Sequence, residues 1–121
     1  MELRLELERT GRLHCHFTQR EQTTTFSAYD GATALALLEA ATEDLARAGC
    51  GECYWQMANG EYRLSFRRTP EDTVRIAILW ANGIATGWEH VLWSERPAEE
   101  WLSTVRGALT AAQGEAPAPR A

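Results

Sequence analysis

Glu52-Cys53-Tyr54-Trp55-Gln56-Met57-Ala58-Asn59-Gly60-Glu61-Tyr62-Arg63-Leu64-Ser65-Phe66-Arg67 is the stretch on which the fold turns. Asn-Gly is the dipeptide best suited to a two-residue hairpin of type I′, where both central residues need positive φ. A turn centred there sets Met57 opposite Tyr62, Trp55 opposite Leu64 and Cys53 opposite Phe66. Between these apolar pairs lie polar ones: Gln56 with Arg63, Tyr54 with Ser65 and Glu52 with Arg67. Turn chemistry and period-two alternation agree on one antiparallel hairpin with one buried face.

Two more strands extend this hairpin, about 73–80 and 84–93. Val74, Ile76, Ile78 and Trp80 share a face in the first of them. A three-residue link, Ala81-Asn82-Gly83, would set Trp80 opposite Ile84, Ile76 opposite Trp88, Val74 opposite His90 and Arg75 opposite Glu89. That register keeps Glu89 off the apolar face and pairs it with a cation.

The first 29 residues form a second meander. Leu3, Leu5 and Leu7 alternate with charges, as do Leu13, Cys15 and Phe17 with polar residues. Arg9-Thr10-Gly11 reads as a three-residue turn with Gly11 left-handed, which pairs Leu7 with Leu13, Leu5 with Cys15 and Leu3 with Phe17. A Thr-rich third strand spans roughly 22–29. Asp30 is placed to cap a helix over 31–48, whose stripe is Leu35, Leu38, Ala41, Leu45 and Ala48, with Gly49 as the stop. Pro97 suits the first turn of a second helix carrying Trp101, Leu102, Val105, Leu109 and Ala112.

The expected fold is therefore α+β: an antiparallel β-sheet in the order three strands, helix, four strands, helix, with both helices packed on one face as a two-layer sandwich. A strongly curved sheet around a cavity is the alternative. The expected domain is 1–112, and 113–121, with Pro117 and Pro119, is expected to be a disordered tail.

Composition narrows the function. The 121 residues suit one core. Net charge is −5, against the basic footprint of a general nucleic-acid binder. No apolar run approaches the ~20 residues that span a bilayer. The opening residues alternate charge and Leu, unlike a secretion signal, so a cytoplasmic protein is expected. All 12 basic residues are Arg. The absence of Lys excludes Schiff-base chemistry and a standard P-loop, and the Arg- and Ala-rich composition points to a bacterium.

Candidate chemistry is sparse. Cys50-Gly51-Glu52-Cys53 is a C-x-x-C, but the hairpin register buries Cys53, and no second ligand pair has zinc spacing. His14 and His16 share a strand face roughly 7 Å apart. They lack a third ligand, and cross-strand pairing with Glu6 and Arg4 accounts for them. No metal and no cofactor is expected. No nucleophile elbow, metalloprotease motif or phosphate loop occurs, so an enzyme is the lesser reading.

The outward face of the second meander is the better candidate. It carries Tyr54, Arg63, Arg67, Arg75, Glu89 and Trp93, and Arg, Tyr and Trp are the types enriched in interface hot spots. A plain solvated face, with Arg stems shielding the backbone, is the competing account. The layout is of the general kind seen among small bacterial immunity, chaperone and adaptor proteins, an analogy of size and architecture. The expectation is a non-catalytic protein-binding module, of immunity-inhibitor or adaptor type, whose partner is an acidic protein. An unpaired edge strand would also allow a homodimer. The alternative is a small-molecule pocket lined by Trp55, Tyr62, Trp80, Trp88 and His90 beneath a curved sheet.

Overall fold

The computed structural model describes residues 1–82 and 87–115. The elements run β1 (Glu2–Leu7), β2 (Leu13–Gln19), β3 (Gln22–Ala28), α1 (Gly31–Ala48), β4 (Cys50–Met57), β5 (Gly60–Arg68), β6 (Thr73–Asn82), β7 (Glu89–Pro97) and α2 (Ala98–Glu115). The chain is α+β, with two helices and two antiparallel sheets, β1-β2-β3 and β4-β5-β6-β7.

The first hairpin has the register its alternation demands, Leu7 with Leu13, Leu5 with Cys15 and Leu3 with Phe17. Gly11 closes it at φ 93°, donating its N–H to Glu8 O at 2.9 Å. The next turn was not legible. Gln19 pairs with Gln22, which leaves Arg20 and Glu21 as a two-residue turn at φ 48° and 67°. Two left-handed residues in a row are the type I′ requirement, met here by side chains that gain nothing from it.

Asp30 caps α1 as expected, its carboxylate accepting from Thr33 N at 3.1 Å, and Gly49 ends the helix at φ 83°. Ala34, Leu35, Leu38, Ala41 and Leu45 are buried, whereas Ala48 is exposed at the last turn. The helix lies directly on β4: a Cβ on Gly51 would stand 2.0 Å from Ala41 O.

The Asn59-Gly60 turn is shifted from its expected place. Met57 pairs with Gly60, Trp55 with Tyr62 and Cys53 with Leu64, so the turn residues are Ala58 and Asn59. Gly60 does not take positive φ. It is needed for proximity instead, because a Cβ there would meet Ala81 O at 2.3 Å on the neighbouring strand. The register moves by two residues, so parity is kept and Cys53, Trp55, Leu64 and Phe66 still face the core.

The β6–β7 pairing is corrected more deeply. Arg75 lies opposite Glu95, Ile76 opposite Ser94 and Ile78 opposite Leu92, with a bulge between Ile78 and Leu79. Val74 faces Arg96 rather than His90. The inner side of β7 thus carries Ser94 and Arg96, and both find partners. Ser94 Oγ donates to Gln19 Oε1 at 2.8 Å, and Arg96 Nη2 to Glu100 Oε1 at 2.5 Å. Trp88 and His90, expected in the core, are exposed. The expected turn at Gly83 and the partner position Ile84 lie outside the described residues.

Helix α2 continues three residues past its expected end at Ala112, and Gln113 Nε2 donates to Glu39 Oε2 of α1 at 3.1 Å. Of the expected tail 113–121, residues 113–115 are helical and 116–121 lie outside the described residues. Between the elements, the Trp101 ring sits 5.9 Å from Phe17 and 5.5 Å from Phe66, and Phe26 lies 5.4 Å from Trp55. The void left among Phe17, Leu38, Phe66 and Trp101 is about 10 Å³.

The Arg20-Glu21 turn yields a direct stability prediction. Replacing it with Asn-Gly (Arg20→Asn with Glu21→Gly) keeps the backbone and removes the left-handed penalty. The expected gain is roughly 1 kcal/mol, read as a higher urea midpoint at constant m. An unchanged or lower midpoint would contradict the turn geometry.

Candidate functional site

The outer face of β4–β7 is built row by row from the ladder. Tyr54, Arg63, Leu79 and His90 lie across the four strands in one row, and Glu52, Ser65, Ala77 and Trp93 in the next. Cys50, Arg67, Arg75 and Glu95 make the third. Tyr54, Arg63, Arg67, Arg75 and Trp93 therefore share this face. Glu89 does not: it pairs with Trp80, and Glu95 takes the place beside Arg75 that Glu89 was expected to fill. Arg75 Nε donates to Glu95 Oε1 at 3.2 Å.

Glu52 organises the centre. It accepts from Tyr54 OH at 2.8 Å and from Arg63 Nε and Nη2 at 2.8 and 2.6 Å. Partial burial alone would raise the Glu52 carboxyl, but the bonds from Arg63 and Tyr54 outweigh it and hold the group below its ordinary range. The same bond to Glu52 pushes the Tyr54 phenol up, because losing its proton would set two anions together. Tyr54 and Arg63 are thereby held in position on an otherwise solvated face.

Arg67 is the exception in charge balance. It stands directly opposite Arg75 and has no carboxylate partner among the described residues. Like charges opposite one another on a sheet are destabilising. Three aromatics on this face are open to solvent: Trp93 at 58%, one row from the pair, and Tyr54 at 36% and Trp88 at 38%, two rows or more away. Trp88 joins the face through Tyr54, ring to ring at 6.1 Å. Trp88, His90 and Glu95 were not assigned to this face from sequence, since the β7 register that brings them there depends on partners distant in the chain.

Of the five residues of the alternative pocket, Trp55, Tyr62 and Trp80 share one cross-strand row, and Trp88 and His90 do not join them. Trp55 is buried against Phe26. Tyr62 and Trp80 stack at 4.6 Å at the core margin, and Trp88 and His90 lie on the other side of the sheet.

His14 and His16 are satisfied on both ring nitrogens. His14 bonds Ser27 Oγ through Nδ1 at 2.6 Å and Glu8 through Nε2. His16 bonds Thr25 Oγ1 through Nδ1 and Glu6 through Nε2, each at 3.0 Å. The register sets Glu6 opposite His14 and Arg4 opposite His16 as expected, while the side-chain bond of His14 goes to Glu8. Among the described residues no group of three His, Cys, Asp or Glu side chains has metal-holding geometry. Burial pushes the Cys53 thiol up to about 12, and Cys50 is exposed.

Comparison with known proteins finds no matching family model, curated relative or solved structure. No described helix is long and apolar enough to cross a membrane.

The carboxylates predict an acid response. Glu6 is lowered first by its bond to His16, Glu8 by its bond to His14, and Glu52 by Arg63 and Tyr54 against its burial. Each is lowered in the folded state, so its stabilisation is full above the unfolded value of 4.5 and is lost as pH falls through the folded values. The urea midpoint should therefore drop between pH 5 and pH 2 (roughly one unit either side of the carboxyl range). The drop should be shallower in the Glu6→Gln, Glu8→Gln, Glu52→Gln triple variant. Parallel profiles would contradict the assignment.

Proposed function

We propose that the chain is a non-catalytic protein-binding module of a bacterial cytoplasm, of immunity-inhibitor or adaptor type, and that the outer face of β4–β7 is its contact surface. The observation that carries this reading is the Arg67–Arg75 pair, one cation in excess of its carboxylate Glu95, on the face that also carries the exposed rings of Tyr54, Trp88 and Trp93, with Trp93 in the adjacent row. Exposed aromatics supply large buried area on association, and Arg beside them supplies directional, charge-assisted bonds. An acidic group from a partner would relieve the Arg–Arg repulsion that the isolated chain carries. The partner is therefore read as a protein presenting carboxylates to this face.

The reading takes both helices as lying on the inner side, which leaves this face uncovered. Glu52 supports it further, because Tyr54 and Arg63 are held before any partner arrives and lose little freedom on binding. The pocket alternative lacks comparable support. The void at the core is about 10 Å³, whereas small-molecule sites occupy some 300–1,000 Å³.

The test is capture of a single polypeptide from extracts of the source cells by the immobilised full chain. Arg67→Glu and Tyr54→Ala should each weaken capture at least tenfold, about 1.4 kcal/mol, with an unchanged melting temperature. Undiminished capture by both folded variants would remove this face from consideration.

A further inference from the structure

Strand β7 ends its sheet. It is hydrogen-bonded to β6 alone, so its other edge presents backbone N–H and C=O groups without a ladder partner among the described residues. Beside that edge runs a cleft of about 490 Å³, lined by residues 93–96 of β7 and by Met1, Gln19, Arg20 and Gln22, and bridged at one point by the Ser94–Gln19 bond, which an added strand would have to displace. Four consecutive residues of one strand lining a cleft bring backbone as well as side chains to it.

The lining carries two cations, Arg20 and Arg96, and one carboxylate, Glu95, with Glu21 next to Arg20 in the turn. Glu95 is paired with Arg75, and Arg96 donates to Glu100. Arg20 has no carboxylate partner among the described residues and is exposed. It also holds positive φ, a conformation that Asn or Gly adopts more readily, so a cation stands here at a conformational cost. Trp93 borders the same cleft and is the most exposed of the three aromatics on the outer face.

We infer that the β7 edge is a strand-addition site for an extended, acidic segment of a partner protein. The segment pairs its backbone with β7. It sets an apolar side chain beside Trp93 and a carboxylate within reach of Arg20. Backbone pairing supplies affinity, and the alternating side chains supply selectivity. The inference deepens the proposed function and rests on it, naming the form and charge of what the partner inserts.

The experiment selects a displayed library of random twelve-residue peptides against the full chain, then measures amide hydrogen exchange of the chain with the enriched synthetic peptides. The expected result is enrichment of Asp/Glu with β-branched residues, at least tenfold slower exchange of β7 amides on binding, and at least tenfold weaker binding by Arg20→Glu. Arg47→Ala, exposed on α1 and outside both the face and the cleft, should leave peptide affinity within twofold. No enrichment, protection confined to other elements, or an Arg20→Glu chain that binds as well as the parent would overturn the proposal. A dimer with protected β7 amides and no peptide would assign the edge to a second copy and overturn it as well. The two readings separate cleanly. Loss of partner capture by Arg67→Glu with β7 unprotected keeps the face and rejects strand addition. Protected β7 amides and Arg20-dependent binding, with capture indifferent to Arg67→Glu, keep strand addition and reject the wider face.

Discussion

Trp101 is the contact on which the rest of the structure depends. The two sheets are separate ladders, so side chains must join them. Trp101 of α2 does this by placing its ring against Phe17 of one sheet and Phe66 of the other. The Ser94–Gln19 bond and the backbone bond from Tyr29 N to Gln56 O add polar links. An indole in that position fills the space between two inner faces, and the residual void is no larger than about one water. The inner surface is thereby consumed by folding, and the outer face of β4–β7 keeps its aromatic and Arg side chains available.

That face is unevenly balanced in a consistent way. Glu52 and Glu95 each hold an Arg, which fixes the guanidinium groups of Arg63 and Arg75. Arg67 is left over, next to Arg75. Exposed ion pairs of this kind add little stability, generally below about 1 kcal/mol. Their consequence is geometric: they hold donors and a phenol in defined positions on a surface in an acidic chain. Arg67 beside Arg75, and Arg20 beside β7, are cations with no carboxylate partner among the described residues, in a chain of net charge −5.

Where local and tertiary signals agreed, the fold could be read directly. Gly11 and strict Leu alternation specify one register for β1–β2, and Asp30 and Gly49 bracket α1. At Asn59-Gly60 the signal was real but its cause was different. Gly60 is required by the approach of Ala81, not by φ, and the faces survived because the shift was an even number of residues. The Arg20-Glu21 turn was invisible because neither residue favours the left-handed region. Strand β7 misled because its inner residues, Ser94 and Arg96, are polar and satisfied by Gln19 and Glu100, although the outward side of Trp93 was read correctly. Parity alone was enough to collect Tyr54, Arg63, Arg67 and Arg75 on one face. Finding Trp88, His90 and Glu95 there required the β6–β7 bulge.

The central claim is that a closed core leaves a surface made for another polypeptide. Native mass spectrometry of the protein isolated from its source cells under gentle, chelator-free conditions tests it most directly. The account predicts an added mass equal to a second, different polypeptide that dissociates as salt is raised, since the contact is charge-assisted. A bare chain, or one carrying only a metal ion or a small molecule, would contradict it.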